Sequence, residues 1–313
     1  MQFSDRIGRR IKLQDVHILM AVVQAGSMGK AARYLNTSQP NISKSIADLE
    51  RALGVRLLDR HQQGIEPTGY GRALLIGGAA AFDELRQTVK KIEFLADPAA
   101  GEVRIGANPA LAAGFTSVVI DRLSRRYPRI KIHLVTGYAE ALLAQLRERN
   151  VDFLIARRFG PIDEERVDFE FLFDDVCVVA AGAQSQWARR RSIALAELVN
   201  EPWVLPPPGS GIISIAMEGF RARGLEYPRT TVVTDSNQAR MNLVATGRFL
   251  AIFTGSTLRV PTKRSELRVL PVELSPARFP NGIVTLKNRT LNPVARVVMD
   301  TVREVARPLA RRK

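Results

Sequence analysis

Residues 26–53 read G-S-M-G-K-A-A-R-Y-L-N-T-S-Q-P-N-I-S-K-S-I-A-D-L-E-R-A-L, and this stretch decides the fold of the N-terminal part. Ser27 can cap a first short helix by accepting from a free backbone N–H. Ala31, Ala32 and Leu35 give that helix a small inward face, so a second helix can cross it closely. Asn36 and Thr37 make the turn, and Thr37 or Ser38 can cap the next helix. Pro40 falls in the first turn of that helix, where its missing N–H costs little. Ile42, Ile46, Leu49 and Leu53 then recur at spacings of four, three and four, which is one helical face.

The opposite face carries Pro40, Ser43, Lys44, Ala47 and Arg51, with Gln39 and Asn41 at its N-terminal end. Gln and Asn can read adenine edges bidentately, Lys reads guanine or a phosphate, and Ser reaches either. A helix entering the DNA major groove by its N-terminus offers those residues first. An ordinary amphipathic helix with a solvated polar face shares the spacing, and the flanking sequence weighs against it. Upstream, Val16, Leu19, Val22 and Val23 mark another amphipathic helix. Downstream, Val55, Leu57 and Leu58 lead into D-R-H-Q-Q-G-I-E-P-T at 59–68, two short strands around a polar turn, or a wing. Arg60 and His61 can touch the DNA backbone or minor groove from there.

The run A-V-V-Q-A-G-S-M-G-K-A-A-R-Y-L-N-T-S-Q-P-N-I-S-K-S-I-A-D-L-E-R-A-L-G-V-R-L-L-D-R, followed by P-T-G-Y-G-R-A-L-L, resembles the winged helix-turn-helix of LysR-type transcriptional regulators. The likeness is nearly gapless from Leu13 to Leu75. Its motif, A-A-x-x-L-x-x-S-Q-P-x-I-S-x-x-I-x-x-L-E-x-x-L-G-x-x-L-x-x-R, is highly specific. Two positions depart from the commoner pattern. Met28-Gly29 stands where an aromatic or bulky residue and then a polar one are usual, and Leu58-Asp59-Arg60 replaces Phe-Glu/Asp-Arg. Neither touches the groove-facing set. The DNA-binding candidates are Ser27, Thr37, Ser38, Gln39, Pro40, Asn41, Ser43, Lys44, Arg60 and His61. The resemblance implies a bacterial transcriptional regulator with double-stranded DNA and its own copies as partners. It also implies possible contact with RNA polymerase.

Composition bounds the rest. The 313 residues suffice for two domains with their own cores, and apolar residues make up 46% of them, a globular proportion. There is no run of about 18 apolar residues, so no membrane span is expected. The start, M-Q-F-S-D-R-I-G-R-R, lacks an apolar region, so no secretory signal is expected and a cytoplasmic location follows. Cys177 is the single cysteine, in a run that reads as a buried strand, so an intrachain disulfide switch is excluded. His17, His61 and His133 are scattered without ligand spacing, so no metal is expected. Net charge is +15, but residues 1–66 hold only +4 of it, residues 67–100 are neutral and the remainder carries +11. The helix-turn-helix reading therefore rests on pattern and not on charge. A basic C-terminal part favours an acidic ligand, or reflects an Arg-rich proteome.

From Thr68 to Leu95 there is no proline. Leu75, Gly78, Phe82, Leu85, Val89 and Ile92 alternate at three and four, a heptad seam on a helix roughly 40 Å long. Such a stripe needs burial, either on its own domain or on a twin. Projection away from the reading head favours the twin. D-P-A-A-G at 97–101 ends the helix and reads as a hinge. In the resembling family this helix is the dimerisation arm, and assembly commonly proceeds to a tetramer through the sensor domains.

Beyond it, strand and helix patterns alternate: strand Glu102 to Ala107, a helix through Ala112, Val119, Leu123 and Tyr127, strand Ile130 to Val135, helix Tyr138 to Arg149, strand Asp152 to Ala156. That order argues a parallel sheet with right-handed crossovers. A second unit follows: strand Phe169 to Ala181, helix Ile213 to Gly224, strand Thr230 to Thr234, helix Ser236 to Thr246, strand Phe249 to Phe253. The chain returns through Leu267 to Val272 and Gly282 to Leu286, then a helix from Pro293 to about Arg307. Two α/β lobes make a cleft. The layout resembles the effector domain of the same family, which is similar to periplasmic solute-binding proteins.

The expected organisation is therefore multidomain: a winged helix-turn-helix domain at 1–66, a linker and dimerisation helix at 67–96, and a two-lobed α/β effector domain at 97–313. Lobe I takes about 101–173 and 273–313, and lobe II about 174–272. Ligands in such sheets lie beyond the carboxyl ends of strands. Those ends give Asn108, Pro109, Ala110, Gly137, Tyr138, Phe253 and Thr254 as effector-binding candidates, together with Ser210 in P-P-P-G-S-G before a helix. Free N–H groups there suit a carboxylate or phosphate. The family often has Ser or Thr at the first two loops, where this chain has Asn108-Pro109-Ala110 and Tyr138. No cofactor is expected, only a small-molecule co-inducer.

A solute-binding protein without a DNA role fits the cleft but not the N-terminal 95 residues. An enzyme is disfavoured: there is no Gly-Lys-Ser/Thr phosphate loop, no G-x-S-x-G, no H-E-x-x-H and no paired cysteines.

Overall fold

The computed structural model describes residues 10–61, 64–158, 166–258 and 266–310. The chain forms two compact units, Met1–Thr88 and Val89–Lys313, whose division falls within one helix.

In the first unit, α1 (Leu13–Ala25), α2 (Met28–Tyr34) and α3 (Gln39–Leu53) precede a hairpin of β1 (Leu58–His61) and β2 (Gly64–Pro67) and the start of α4 (Gly69–Ala96). Gly26 ends α1 in the left-handed conformation that a residue lacking Cβ adopts without strain (φ 68°). Leu19, Val22, Ala31, Ile42, Ile46 and Leu49 are buried in one core. Leu53, read as part of the same stripe, is only partly buried. In the hairpin, Arg60 faces Ile65 across an antiparallel register. Its turn residues, Gln62 and Gln63, lie outside the described residues.

Two contacts fix the wing. The Glu50 carboxylate accepts from the backbone N–H groups of Leu57 at 2.7 Å and Leu58 at 3.3 Å. Gly71, on α4, packs so tightly that a Cβ there would meet the Leu57 carbonyl oxygen at 2.1 Å.

The heptad reading of α4 needs correction in its first half. Gly78 is buried against α1, where a Cβ would meet Val16 Cγ1 at 2.5 Å, and the Phe82 ring lies 5.7 Å from that of His17. Leu75 packs against the same core. Those seam positions pack within their own chain, Gly78 buried and Leu75 and Phe82 partly so, because the glycine lets the two helices approach. Leu85, Val89 and Ile92 remain exposed, as does Leu95. Asp83 and Gln87 are buried on another face, with Gln87 Nε2 donating to Asp83 at 3.3 Å.

The second unit begins with β3 (Ala100–Ala107) and α5 (Pro109–Leu111). A π-turn (Ala112–Thr116) runs into α6 (Ser117–Arg126), and β4 (Arg129–Thr136), α7 (Ala139–Arg147) and β5 (Phe153–Arg157) follow. The long β6 (Val167–Gly182) leads through two 3-10 turns to β7 (Trp203–Leu205), α8 (Gly211–Arg221), β8 (Thr230–Val233), α9 (Asn237–Ala245), β9 (Leu250–Thr254) and α10 (Gly255–Leu258). The chain closes with β10 (Leu267–Val269), β11 (Arg278–Leu286) and α11 (Pro293–Ala310).

Strand order is β4-β3-β5-β11-β6-β9-β7-β8, with β10 paired to β6. The outer strands β3, β4 and β5 pair in parallel, as do β7, β8 and β9, which fits the expected crossovers. The junction is antiparallel: β11 pairs with β5 and β6, and β6 with β9. Each half buries its own core, one around Ile105, Phe115, Phe153 and Val298, the other around Val179, Trp203, Phe220 and Ile252. Strand β7 is absent from the sequence reading, because three apolar residues between polar loops carry too short a pattern. Its Trp203 is buried and donates from Nε1 to the Leu198 carbonyl at 2.8 Å. None of the described helices is long and apolar enough to cross a membrane.

Candidate functional site

Local chemistry builds the first site. Ser27 caps α2, its hydroxyl accepting from Lys30 N–H at 3.1 Å. Asn36 turns the chain with φ 50°, a conformation asparagine tolerates better than most residues. Ser38, not Thr37, caps α3 through Asn41 N–H at 3.4 Å, and Thr37 instead accepts from Asn41 Nδ2 at 3.2 Å. Pro40 sits in the first turn. Thr37, Ser38, Gln39, Pro40, Asn41 and Lys44 are exposed, with Ser43 and Ser27 half-buried. The helix is thus anchored by its apolar stripe and presents its polar N-terminal end outward.

At Gly29, where the common pattern has a polar side chain, a Cβ would stand 3.4 Å from Gln39 Oε1, so the glycine leaves room for that glutamine. Arg60 and His61 are exposed on β1, an element separate from α3. Two cations missed by pattern join the set. Arg10 and Lys12 line a groove of about 870 Å³ with Thr37, Asn41 and Lys44. They precede α1 and carry no periodic signal.

The second site is a cleft of about 530 Å³ in the second unit, framed by the strand ends. Of the sequence candidates, Asn108, Pro109, Ala110, Tyr138, Ser210, Phe253 and Thr254 line it. Gly137 is not among the lining residues. Asn108 caps α5 by accepting from Leu111 N–H at 2.9 Å, which ties its side chain to the turn. Thr254 exchanges a hydrogen bond with Thr257 at 2.8 Å.

Pattern also missed two buried cations in this cleft, because an arginine on a strand end or helix looks like any solvated charge. The Arg157 side chain is 6% exposed, lies 3.7 Å from Asp175 and stacks 4.4 Å from the centre of the Phe279 ring. Burial holds its pKa below the usual guanidinium value, with Asp175 opposing. Arg240 is likewise buried and donates to Ile252 O and Asn237 Oδ1, both at 2.9 Å. Burial lowers its pKa to about 10. Asp175 accepts from Ser256 N–H at 3.0 Å and from the Ser256 hydroxyl. Thr257 Oγ1 donates to Ala110 O at 3.3 Å, joining α10 to α5.

Cys177 is packed, and burial pushes its thiol up to about 12. Among the described residues no cluster of His, Cys, Asp and Glu could hold a metal ion.

A helix-turn-helix with a wing, followed by an α/β unit with a cleft at its strand ends, defines a ligand-responsive DNA-binding protein. The chain belongs to the LysR family of transcriptional regulators. Residues 13–72 match the family model "Bacterial regulatory helix-turn-helix protein, lysR family", and residues 96–307 match "LysR substrate binding domain". The chain is similar to the HTH-type transcriptional regulator GbpR of Azospirillum brasilense, at 29% identity over 97% of this chain and 89% of that protein. Its fold is similar to that of a full-length OxyR variant from Pseudomonas aeruginosa, with a TM-score of 0.68 and 21% identity over 97% and 99% of the two chains. It is also similar to full-length CbnR complexed with its target DNA, with a TM-score of 0.64 and 19% identity over 95% and 100%. The curated relatives are regulators and not enzymes, in agreement with the sequence reading.

Proposed function

We propose that this regulator reads its operator through Gln39, Pro40, Asn41, Ser43 and Lys44, while Ser27 and Ser38 cap the two helices beside the DNA and Thr37 holds the Asn41 side chain. Arg60 and His61 reach the backbone or minor groove from the wing. The observation carrying this reading is the outward polar end of α3 over a fully buried stripe of Ile42, Ile46 and Leu49. Domains at 1–66, 67–96 and 97–313 divide reading, dimerisation and sensing. The exposed Leu85, Val89, Ile92 and Leu95 support pairing of two copies along the C-terminal half of α4, with a tetramer through the sensor domains.

A small-molecule effector enters the cleft lined by Asn108, Pro109, Ala110, Tyr138, Ser210, Phe253 and Thr254, and Gly137 shapes the loop before Tyr138. The effector's differential affinity for two arrangements of the assembly shifts operator contact and engagement of RNA polymerase. The protein acts in the cytoplasm, where its DNA is. The test is a gel shift on a promoter fragment that the native protein retards. Lys44→Ala weakens binding by about 1–3 kcal/mol if it reads a base edge, and unchanged affinity removes it from the readout.

A further inference from the structure

Taking the cleft as the effector site, we infer that it selects a small amphipathic organic anion whose charged group pairs with Arg240. The two buried guanidiniums of the cleft differ in kind. Arg157 has the Asp175 carboxylate 3.7 Å away. Arg240 is 6% exposed, and among the described residues its hydrogen-bond partners are neutral: the Ile252 carbonyl and the Asn237 side-chain oxygen. Its guanidinium also lies 5.2 Å from the centre of the Phe253 ring. Tyr138 and the exposed Asp235, both lining the cleft, act on it through space, and neither makes an ion pair with it among the described residues. A buried charge lacking a counter-charge is costly, and proteins normally pair it. An anion in the cleft supplies that partner.

Three unpaired donors belong to residues that line this cleft. Arg240 Nε, Asn237 Nδ2 and Ser210 Oγ are each shielded from water without a hydrogen-bond partner, and all three residues line the cleft. Asn237 is itself only 7% exposed. Donors that carry hydrogen and face no acceptor select an acceptor-only ligand group, which a carboxylate or phosphoryl oxygen is. Ser210 also stands at the N-terminus of the eleven-residue α8 without capping it, so the first N–H groups of that helix add positive potential to the cleft. Pro109, Leu142, Ala156, Pro206, Ile212 and Phe253 give the lining an apolar part, while the carboxylates of Glu140 and Asp235 also line the cleft and set the side the anionic head must avoid. The occupant therefore joins an acidic head to a hydrocarbon body.

The test uses the full-length protein and matched probe pairs: benzoate, 3-phenylpropionate and hexanoate, each against its carboxamide, by thermal shift and calorimetry. At least one carboxylate is expected to raise the melting temperature and to bind at least tenfold more tightly than its amide. Arg240→Gln should abolish that difference, and Arg240→Lys should restore part of it. Because Arg240 also holds Ile252 O, Asn237→Leu serves as a second variant, expected to weaken the carboxylate at least threefold with little effect on the amide. Equal binding of acid and amide overturns the anion inference while leaving the cleft as the effector site. Stabilisation by no carboxylate at 10 mM overturns it as well. Screening neutral compounds in the same assay then asks separately whether the cleft binds small molecules.

Discussion

The carboxylate of Glu50, three turns into α3, receives the backbone N–H of Leu57 at 2.7 Å, so helix and wing are hydrogen-bonded to each other by one side chain. Leu57 is 1% exposed, so its N–H depends on that acceptor. Glu50→Ala should therefore cost about 1–3 kcal/mol, the penalty of leaving a buried donor unmade. Hydrogen–deuterium exchange should report it locally, with protection falling at Leu57 and Leu58 before it falls in α1. Unchanged protection there would show that the bond does not anchor the wing.

On the proposed reading, the wing makes a different kind of DNA contact from α3. If Arg60 touches phosphate, Arg60→Ala should weaken binding almost equally on all sequences and lower the slope of log affinity against log salt by about 1. Fluorescence anisotropy across a salt series measures this. A sequence-dependent loss with an unaltered slope would assign Arg60 to base readout.

Two glycines of α4 should respond in opposite directions. Gly71→Ala forces a Cβ into the Leu57 carbonyl, 2.1 Å away, and should destabilise by about 1–3 kcal/mol or more. Gly77 has nothing within 4 Å of a Cβ, so Gly77→Ala should stabilise by roughly 0.5–1 kcal/mol through helix propensity alone. Thermal unfolding of the two variants side by side decides it.

Between the two halves of the sensor sheet, Asp175 serves both Arg157 and the start of α10. Asp175→Asn keeps an acceptor for Ser256 N–H but removes the charge facing Arg157. Breaking a buried pair in this way commonly costs about 3–5 kcal/mol, and the 3.7 Å separation puts the expectation at the lower end. A clear fall in the sensor's melting temperature is the predicted outcome. No change would mean that Arg157 is compensated elsewhere.

The legible part of the molecule was the part governed by local rules. Ile42, Ile46 and Leu49 announce their face by spacing alone, and Ser27 and Ser38 announce helix starts by chemistry. The strand ends that frame the cleft followed from the alternation of elements. Tertiary contact hid the rest. The apolar seam of α4 does not say that Gly78 and Phe82 face α1 while Val89 and Ile92 face outward, because a stripe records the need for burial and not the partner. Arg157 has the pattern of a surface charge until β6 and β11 bring Asp175 and Phe279 to it, and Arg240 until β9 brings Ile252 and Phe253. Trp203 to Leu205 is too short to be periodic, and only its pairing with β8 and β9 makes it a strand.

The central claim is that Gln39, Pro40, Asn41, Ser43 and Lys44 read base edges, and in vitro selection from a random duplex library by the purified full-length protein tests it most directly. The native protein should enrich a motif with two related half-sites, and Gln39→Ala and Lys44→Ala should each relax one position within both half-sites. Enrichment of no motif by the native protein, or of the same motif at the same affinity by both variants, would contradict the account.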